Sequence, residues 1–98
     1  MPENEMASFF ASLDVPDGCT LRRKQQFEYT TPTQMYNIEL FENQDGTFYA
    51  IGIPQSGKMV VYGSNMTKSP TIAMRVVLDK IEREAPHFEA TGGDETRI

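Results

Sequence analysis

The stretch GIPQSGKM, residues 52–59, carries glycine and lysine at the spacing of a phosphate-binding P-loop, Gly-x-x-x-x-Gly-Lys. A P-loop also needs serine or threonine after the lysine to hold magnesium, and Met59 stands there instead. It needs a helix directly after the loop, so that amides and the helix dipole converge on phosphate. The residues that follow here have the pattern of a strand. We therefore predict a turn between two strands and reject nucleotide binding at Gly57 and Lys58.

Other groups that carry conventional catalysis are scarce. His87 is the only histidine and Cys19 the only cysteine, and they lie far apart in the chain. No spacing typical of a metal site is present. The segment TGGDET, residues 91–96, resembles the signature of diguanylate cyclases over four residues, but too few residues follow for the returning strand of that family's hairpin. We therefore predict a protein that is not an enzyme and uses no metal or cofactor.

The composition describes one small acidic domain. The 98 residues include 14 Asp and Glu against nine Lys and Arg, which gives a net charge of −5. A chain of this length buries a single core, and its negative field repels nucleic acid and anionic membranes. No apolar run approaches the ~18 residues that span a bilayer. The acidic N-terminus is unlike a signal peptide, and a lone cysteine suits a reducing compartment, so we expect a cytoplasmic protein.

Alternating apolar and polar residues predict an antiparallel sheet. Tyr36, Ile38 and Leu40 fall on one side of a strand, because successive side chains of a strand point to opposite faces. The pair Asp45-Gly46 that follows is a hairpin signal, since glycine accepts positive φ. The predicted strands are CTLRRKQQFEYT (19–30), MYNIELFE (35–42), TFYAIGI (47–53) and KMVVYG (58–63).

Helix signals lie at both ends of this sheet. Ser69 is a good N-cap and Pro70 suits the first helical position, and an apolar stripe continues to Ala85. Pro86 is expected to end that helix. Helical spacing near the N-terminus predicts a second, short helix with the stripe Met6, Phe9, Phe10 and Leu13.

These elements predict one α+β domain over residues 19–86, in which an antiparallel three- to four-stranded sheet carries one C-terminal helix packed on a face. Residues 1–18 form an acidic N-terminal segment with the short helix. Residues 87–98, which lack periodicity, are expected to be a flexible tail.

The sheet carries more aromatic residues than one helix can cover. Phe41, Tyr49 and Ile51 fall on the second face, which needs a cover: the N-terminal segment, a second copy of the protein, or a target. We assign these three residues to partner binding. The favoured function is a small non-catalytic binding or regulatory module that acts by protein–protein interaction, with another protein or with itself as a homodimer.

A basic strand offers an alternative function. Three of the nine basic residues are consecutive and aromatic residues follow at alternate positions, a pattern found in sheets that bind single-stranded nucleic acid. The competing interpretation is an edge strand protected from aggregation by its charges. The acidic net charge disfavours nucleic acid, which stays the alternative partner. Its candidate binding residues are Arg22, Arg23, Lys24, Phe27 and Tyr29.

One resemblance covers about half of the chain. YNIELFENQDGTFYAIGIPQSG, residues 36–57, resembles the first hairpin of HicB-type antitoxins, where a strand, an acidic turn with Asp-Gly and a strand ending in Pro-x-x-Gly recur. SPTIAMRVVLDKI, residues 69–81, stands where that family has its next helix, but without its alanine-rich character. The resemblance implies a second alternative, a small inhibitor or antitoxin-like protein, and it assigns no site residues.

Overall fold

A computed structural model describes residues 9–56 and 59–96 of the chain. The four strands form one antiparallel sheet in the order β1-β2-β3-β4, and the long C-terminal helix packs on it. The predicted α+β fold is thereby confirmed, including the short N-terminal helix. The elements are α1 (described over 9–12), β1 (Arg22–Thr30), β2 (Met35–Asn43), β3 (Phe48–Pro54), β4 (Tyr62–Gly63) and α2 (Pro70–Thr96).

Local turn chemistry sets the strand registers. Gly46 has φ +89°, which a residue with a Cβ rarely adopts, and the Asn43 amide donates to the Thr47 carbonyl at 2.8 Å. The Asp45 carboxylate accepts from the hydroxyl of Thr47 at 2.6 Å and from its amide at 3.0 Å, and these bonds lower the pKa of that carboxyl. The predicted hairpin between β2 and β3 therefore forms from its own loop residues.

The core lies between α2 and one side of the sheet, which we call the helix face. Alternation along β2 and helical spacing along α2 bring the buried side chains together. Gly52 permits a close approach of α2, because a Cβ there would lie 3.0 Å from Cγ1 of Val77. The buried core residues are Tyr36, Ile38, Leu40, Ala50, Tyr62, Ala73, Val77 and Ile81.

Helix α2 begins as predicted but ends later. The hydroxyl of Ser69 accepts from the amide of Ile72 at 3.2 Å, as an N-cap should. The predicted end at Pro86 is wrong, because the helix continues to Thr96 with the proline inside it. Proline removes one main-chain hydrogen bond, and contacts between Glu89 and the sheet hold the segment beyond it. The helix crosses the boundary placed at residue 86, and the division into segment, domain and tail stays a prediction.

The second edge strand is shorter than predicted. Of the described residues 59–63, only Tyr62–Gly63 pair with β3, and Gly57 and Lys58 lie outside the described residues. The next described element after β3 is its antiparallel neighbour β4, and the predicted turn itself stays a prediction, because it includes Gly57 and Lys58. On the outer side of β4, the Nζ of Lys80 in α2 donates to the carbonyl of Gly63 at 2.6 Å.

The N-terminal helix docks through one side chain of its predicted stripe. Phe10 is 5% exposed, whereas Phe9 and Leu13 are 59% and 42% exposed, and Met6 lies outside the described residues. The side-chain amide of Gln44 donates to the carbonyls of Phe10 (3.0 Å) and Leu13 (2.7 Å), which fastens α1 to the β2–β3 turn.

Candidate protein-binding face

The side of the sheet opposite α2 is the open face. Register fixes its members, because residues paired across antiparallel strands point to the same side. None of its side chains is buried, and Ile53 is 37% exposed. The open face consists of Arg22, Lys24, Gln26, Glu28 and Thr30 of β1, Met35, Asn37, Glu39, Phe41 and Asn43 of β2, and Tyr49, Ile51 and Ile53 of β3.

An aromatic pair forms the centre of one half of the open face. Phe41 and Tyr49 are direct cross-strand partners, and their rings stack at 4.7 Å between centroids with an interplanar angle of 10°. The guanidinium of Arg22 lies 5.9 Å from the Tyr49 centroid, and its Nε donates to Oδ1 of Asn43 at 3.0 Å. The stack is therefore held in place by β2, β3 and a cation from β1.

The other half of the open face is a shallow depression beside Ile53. It encloses about 430 Å³. Its floor is largely polar, because β1 and β2 contribute amide and carboxylate side chains. Ile51 continues the apolar surface from Tyr49 toward this depression along β3. The open-face residues that line the depression are Gln26, Glu28, Asn37, Glu39 and Ile53.

The charges between these two halves are internally satisfied. Oε2 of Glu39 lies 3.5 Å from Nζ of Lys24 and accepts a hydrogen bond from Nε2 of Gln26 at 3.2 Å. Oδ1 of Asn37 accepts from Nε2 of Gln55 at 2.9 Å. The polar side chains of this region therefore bond to one another across the open face.

The structure brings the predicted partner-binding residues Phe41, Tyr49 and Ile51 together on one face. Helix α2 covers the other face, and the described turn of α1 also lies away from the open face. Its Phe10 ring sits 5.2 Å from the guanidinium of Arg23, whose side chain belongs to the helix face by register. Within residues 9–56 and 59–96, α1 and α2 therefore leave the open face exposed to solvent.

The five predicted nucleic-acid-binding residues divide between the two faces. Arg22 and Lys24 belong to the open face, and the other three point to the helix side. There Arg23 forms a salt bridge with Glu42 at 2.7 Å, and Tyr29 packs against Tyr36 at 6.0 Å between centroids. Phe27 is 41% exposed. A nucleic-acid strand on the open face would therefore meet Arg22 and Lys24 but neither aromatic residue. On the helix face it would meet both aromatic residues but only Arg23 of the basic run.

Sequence reasoning missed a hydrogen-bonded cluster at the far end of the helix face. Glu89 Oε2 accepts from the hydroxyls of Tyr36 at 2.7 Å and Tyr62 at 2.9 Å. Burial of the two phenols, and the carboxylate beside them, raise the pKa of both tyrosines. Glu89 stands in the segment predicted as a tail, so no local signal marked it. It fastens α2 to β2 and β4.

The single cysteine, Cys19, and the single histidine, His87, are both exposed. Among the side chains that the structure describes, no group of three His, Cys, Asp or Glu residues is placed to hold a metal ion. No described helix is both long and apolar enough to cross a membrane.

Comparison of the chain with protein-family models, with curated protein sequences and with solved structures finds no match. The fold and site therefore define a class by geometry: a small α+β protein with a four-stranded antiparallel sheet, covered by a helix on one face and open on the other.

Proposed function

We propose that this protein is a non-catalytic binding or regulatory module that recognises a protein partner through the open face. The observation that carries the proposal is the stacked pair Phe41 and Tyr49, which lies partly exposed on the side of the sheet away from α2. Aromatic residues with arginine beside them are enriched at the centres of protein interfaces. The open face places Arg22 next to such a pair.

The energetics of binding favour this arrangement. The rings are already stacked in the free protein, so a partner gains contact with them at little cost in side-chain entropy. Ile51 and Ile53 extend the apolar strip, and the Lys24–Glu39 pair at its border supplies polar contacts that select among partners. The net charge of −5 steers a basic partner toward the molecule.

Quantitative affinity capture from the native host tests the proposal. The bait is the full chain, compared with the double variant Phe41→Ala/Tyr49→Ala. The matched control is Phe88→Ala, because Phe88 is an aromatic residue of α2 that is 55% exposed. Circular dichroism and thermal melting verify that all baits are folded.

A genuine partner is captured by wild type and by Phe88→Ala but lost from the double variant. With the purified partner, removal of two central aromatic residues should raise Kd by about 30-fold or more, equivalent to about 2 kcal/mol. The proposal fails if every captured protein binds the double variant within about threefold of wild type.

Single-stranded nucleic acid remains the disfavoured alternative. Arg23 and Lys24 are already paired with carboxylates, and the candidate residues do not share a face. An oligonucleotide titration at low salt distinguishes the two functions, since phosphate contacts strengthen steeply as salt is removed. Tight, salt-dependent binding that Arg22→Ala and Lys24→Ala weaken would support nucleic acid instead.

A further inference from the structure

Strand β1 is a long edge of the sheet. It is nine residues long, eight of them exposed, and β2 is the only described strand that pairs with it. Natural proteins blunt such edges with short strands, prolines, bulges or charged side chains, and of these β1 has only the charges. The strand contains no proline, and its pairing with β2 runs without a bulge from Arg22 to Thr30. It is therefore competent to pair with another strand.

Hydrogen-bond parity identifies the free main-chain groups of this edge. The amide of Thr31 donates to the carbonyl of Gln34 at 2.8 Å, so odd-numbered residues of β1 bond toward β2. On β2, the amide of Asn43 donates toward the β3 side at 2.8 Å, which agrees with this alternation. The residues whose N–H and C=O groups point outward are Arg22, Lys24, Gln26, Glu28 and Thr30.

The outward-bonding residues make β1 complementary to itself. In an antiparallel pair centred on Gln26, Lys24 stands opposite Glu28 of the second copy, and Glu28 opposite Lys24. On the helix face, the same register sets Arg23 opposite Tyr29 and Gln25 opposite Phe27. In this register the charges of the edge therefore attract the second copy.

Other registers lose the match of Lys24 with Glu28. The register centred on Gln25 sets Arg22 opposite Glu28 instead, but it overlaps only seven residues of the strand. A shift by one residue sets open-face side chains against helix-face side chains. A shift by four residues in one direction puts Lys24 opposite Lys24, and in the other direction Glu28 opposite Glu28. The register centred on Gln26 also overlaps all nine residues of the strand and forms about ten main-chain hydrogen bonds.

We propose that two copies of this protein pair through β1 in antiparallel fashion, and that their four-stranded sheets join into one continuous sheet of eight strands. The two-fold axis passes between the Gln26 residues, perpendicular to the sheet, so the two open faces lie side by side on the same side. The dimer uses the edge of the sheet, so it neither requires nor excludes partner binding by the open face.

Charge reversal tests the pairing by sedimentation equilibrium at low salt. Lys24→Glu places Glu against Glu28 twice in each dimer, and Glu28→Lys places Lys against Lys24 twice, so each variant should dimerise at least tenfold more weakly than wild type. An equimolar mixture of the two variants places Glu opposite Lys at both sites and should form a heterodimer about as tight as the wild-type dimer. Glu82→Lys on the exposed face of α2 is the control and should not change dimerisation.

Gln26→Pro gives a second test that does not depend on charge. Proline has no N–H, so the substitution removes the outward amide at the centre of the edge. The fold should tolerate it, because the amide of residue 26 forms no hydrogen bond within the sheet of its own copy. The variant should stay folded by circular dichroism and become monomeric.

The proposal is overturned if the wild-type chain is monomeric up to about 1 mM. It is also overturned if the mixture of charge variants associates no better than either variant alone, or if a folded Gln26→Pro variant still dimerises. Dimerisation should persist in Phe41→Ala/Tyr49→Ala. Loss of the dimer in that variant would assign self-association to the open face and would overturn edge pairing, whereas loss of partner binding alone leaves edge pairing intact.

Discussion

Alanine in place of Glu89 removes the carboxylate that accepts hydrogen bonds from Tyr36 and Tyr62 at 2.7 and 2.9 Å. The two phenols are 1% and 2% exposed, so neither hydroxyl can turn freely to bulk water. A buried donor left without an acceptor costs about 1–3 kcal/mol. Glu89 itself is partly exposed, and water can enter the space that its side chain leaves. The cost of leaving both hydroxyls without an acceptor is therefore near the lower end of twice that range.

We therefore expect Glu89→Ala to lower the free energy of unfolding by about 2–3 kcal/mol. For a domain of this size, that loss corresponds to a fall in Tm of roughly 10–20 °C. Glu89→Gln keeps an acceptor oxygen but loses the charge, so it should fall between Glu89→Ala and wild type. Glu89 ties the part of α2 beyond Pro86 to the sheet. Glu89→Ala should therefore also unfold this part of the helix and reduce the helical signal in circular dichroism.

Urea unfolding followed by circular dichroism measures the effect. Glu82→Ala is the control, because Glu82 is an exposed carboxylate on the same helix and its loss should cost less than about 0.5 kcal/mol. A double-mutant cycle with Tyr36→Phe then isolates the contact itself. The reasoning is refuted if Glu89→Ala unfolds within about 0.5 kcal/mol of wild type, or if the two substitutions are additive.

Two further predictions concern the same helix–sheet contact. Burial and Glu89 raise the pKa of Tyr36 and Tyr62 above the ordinary value near 10. The two protonated tyrosines therefore stabilise the fold fully below pH 10, and above it the free energy of unfolding should fall by about 1.4 kcal/mol per pH unit for each tyrosine. A Tm that stays constant between about pH 9 and 11 would contradict this. Gly52→Val should cost about 1–3 kcal/mol in urea unfolding, because even a Cβ at this position lies 3.0 Å from Cγ1 of Val77 and 3.3 Å from Cδ1 of Ile81. Gly63→Ala is its control, since the nearest atoms to a Cβ there are 3.9 Å away, and an equal loss would show that packing space is not the cause.

The features that follow from neighbouring residues were predictable from the sequence. Alternation along β2, the Asp45-Gly46 turn and the Ser69 cap each act within a few residues, and the structure contains all three. The shared side of Phe41 and Tyr49 also follows from strand parity. Their role in binding stays a prediction.

Features that depend on distant residues were not predictable. The local cost of Pro86 predicted a helix end, but Glu89 is 53 positions from Tyr36 in sequence, and its hydrogen bond holds the helix beyond the proline. The described residues 59–61 have a strand pattern in sequence, yet in β4 only Tyr62 and Gly63 pair with β3. The basic run is a different case, because strand parity alone sends Arg23 to one face and its neighbours to the other, so its division was predictable from the sequence.

The two margins of the sheet differ in a way that limits how large an assembly can become. The margin at β4 is two residues long, and Lys80 occupies the outward carbonyl of Gly63 at 2.6 Å. Along the described part of this margin a further chain finds only these two strand residues, whereas β1 offers nine. Pairing of two copies through β1, as proposed above, would occupy both long edges, so strand addition would stop at a closed pair and would not continue into a fibre.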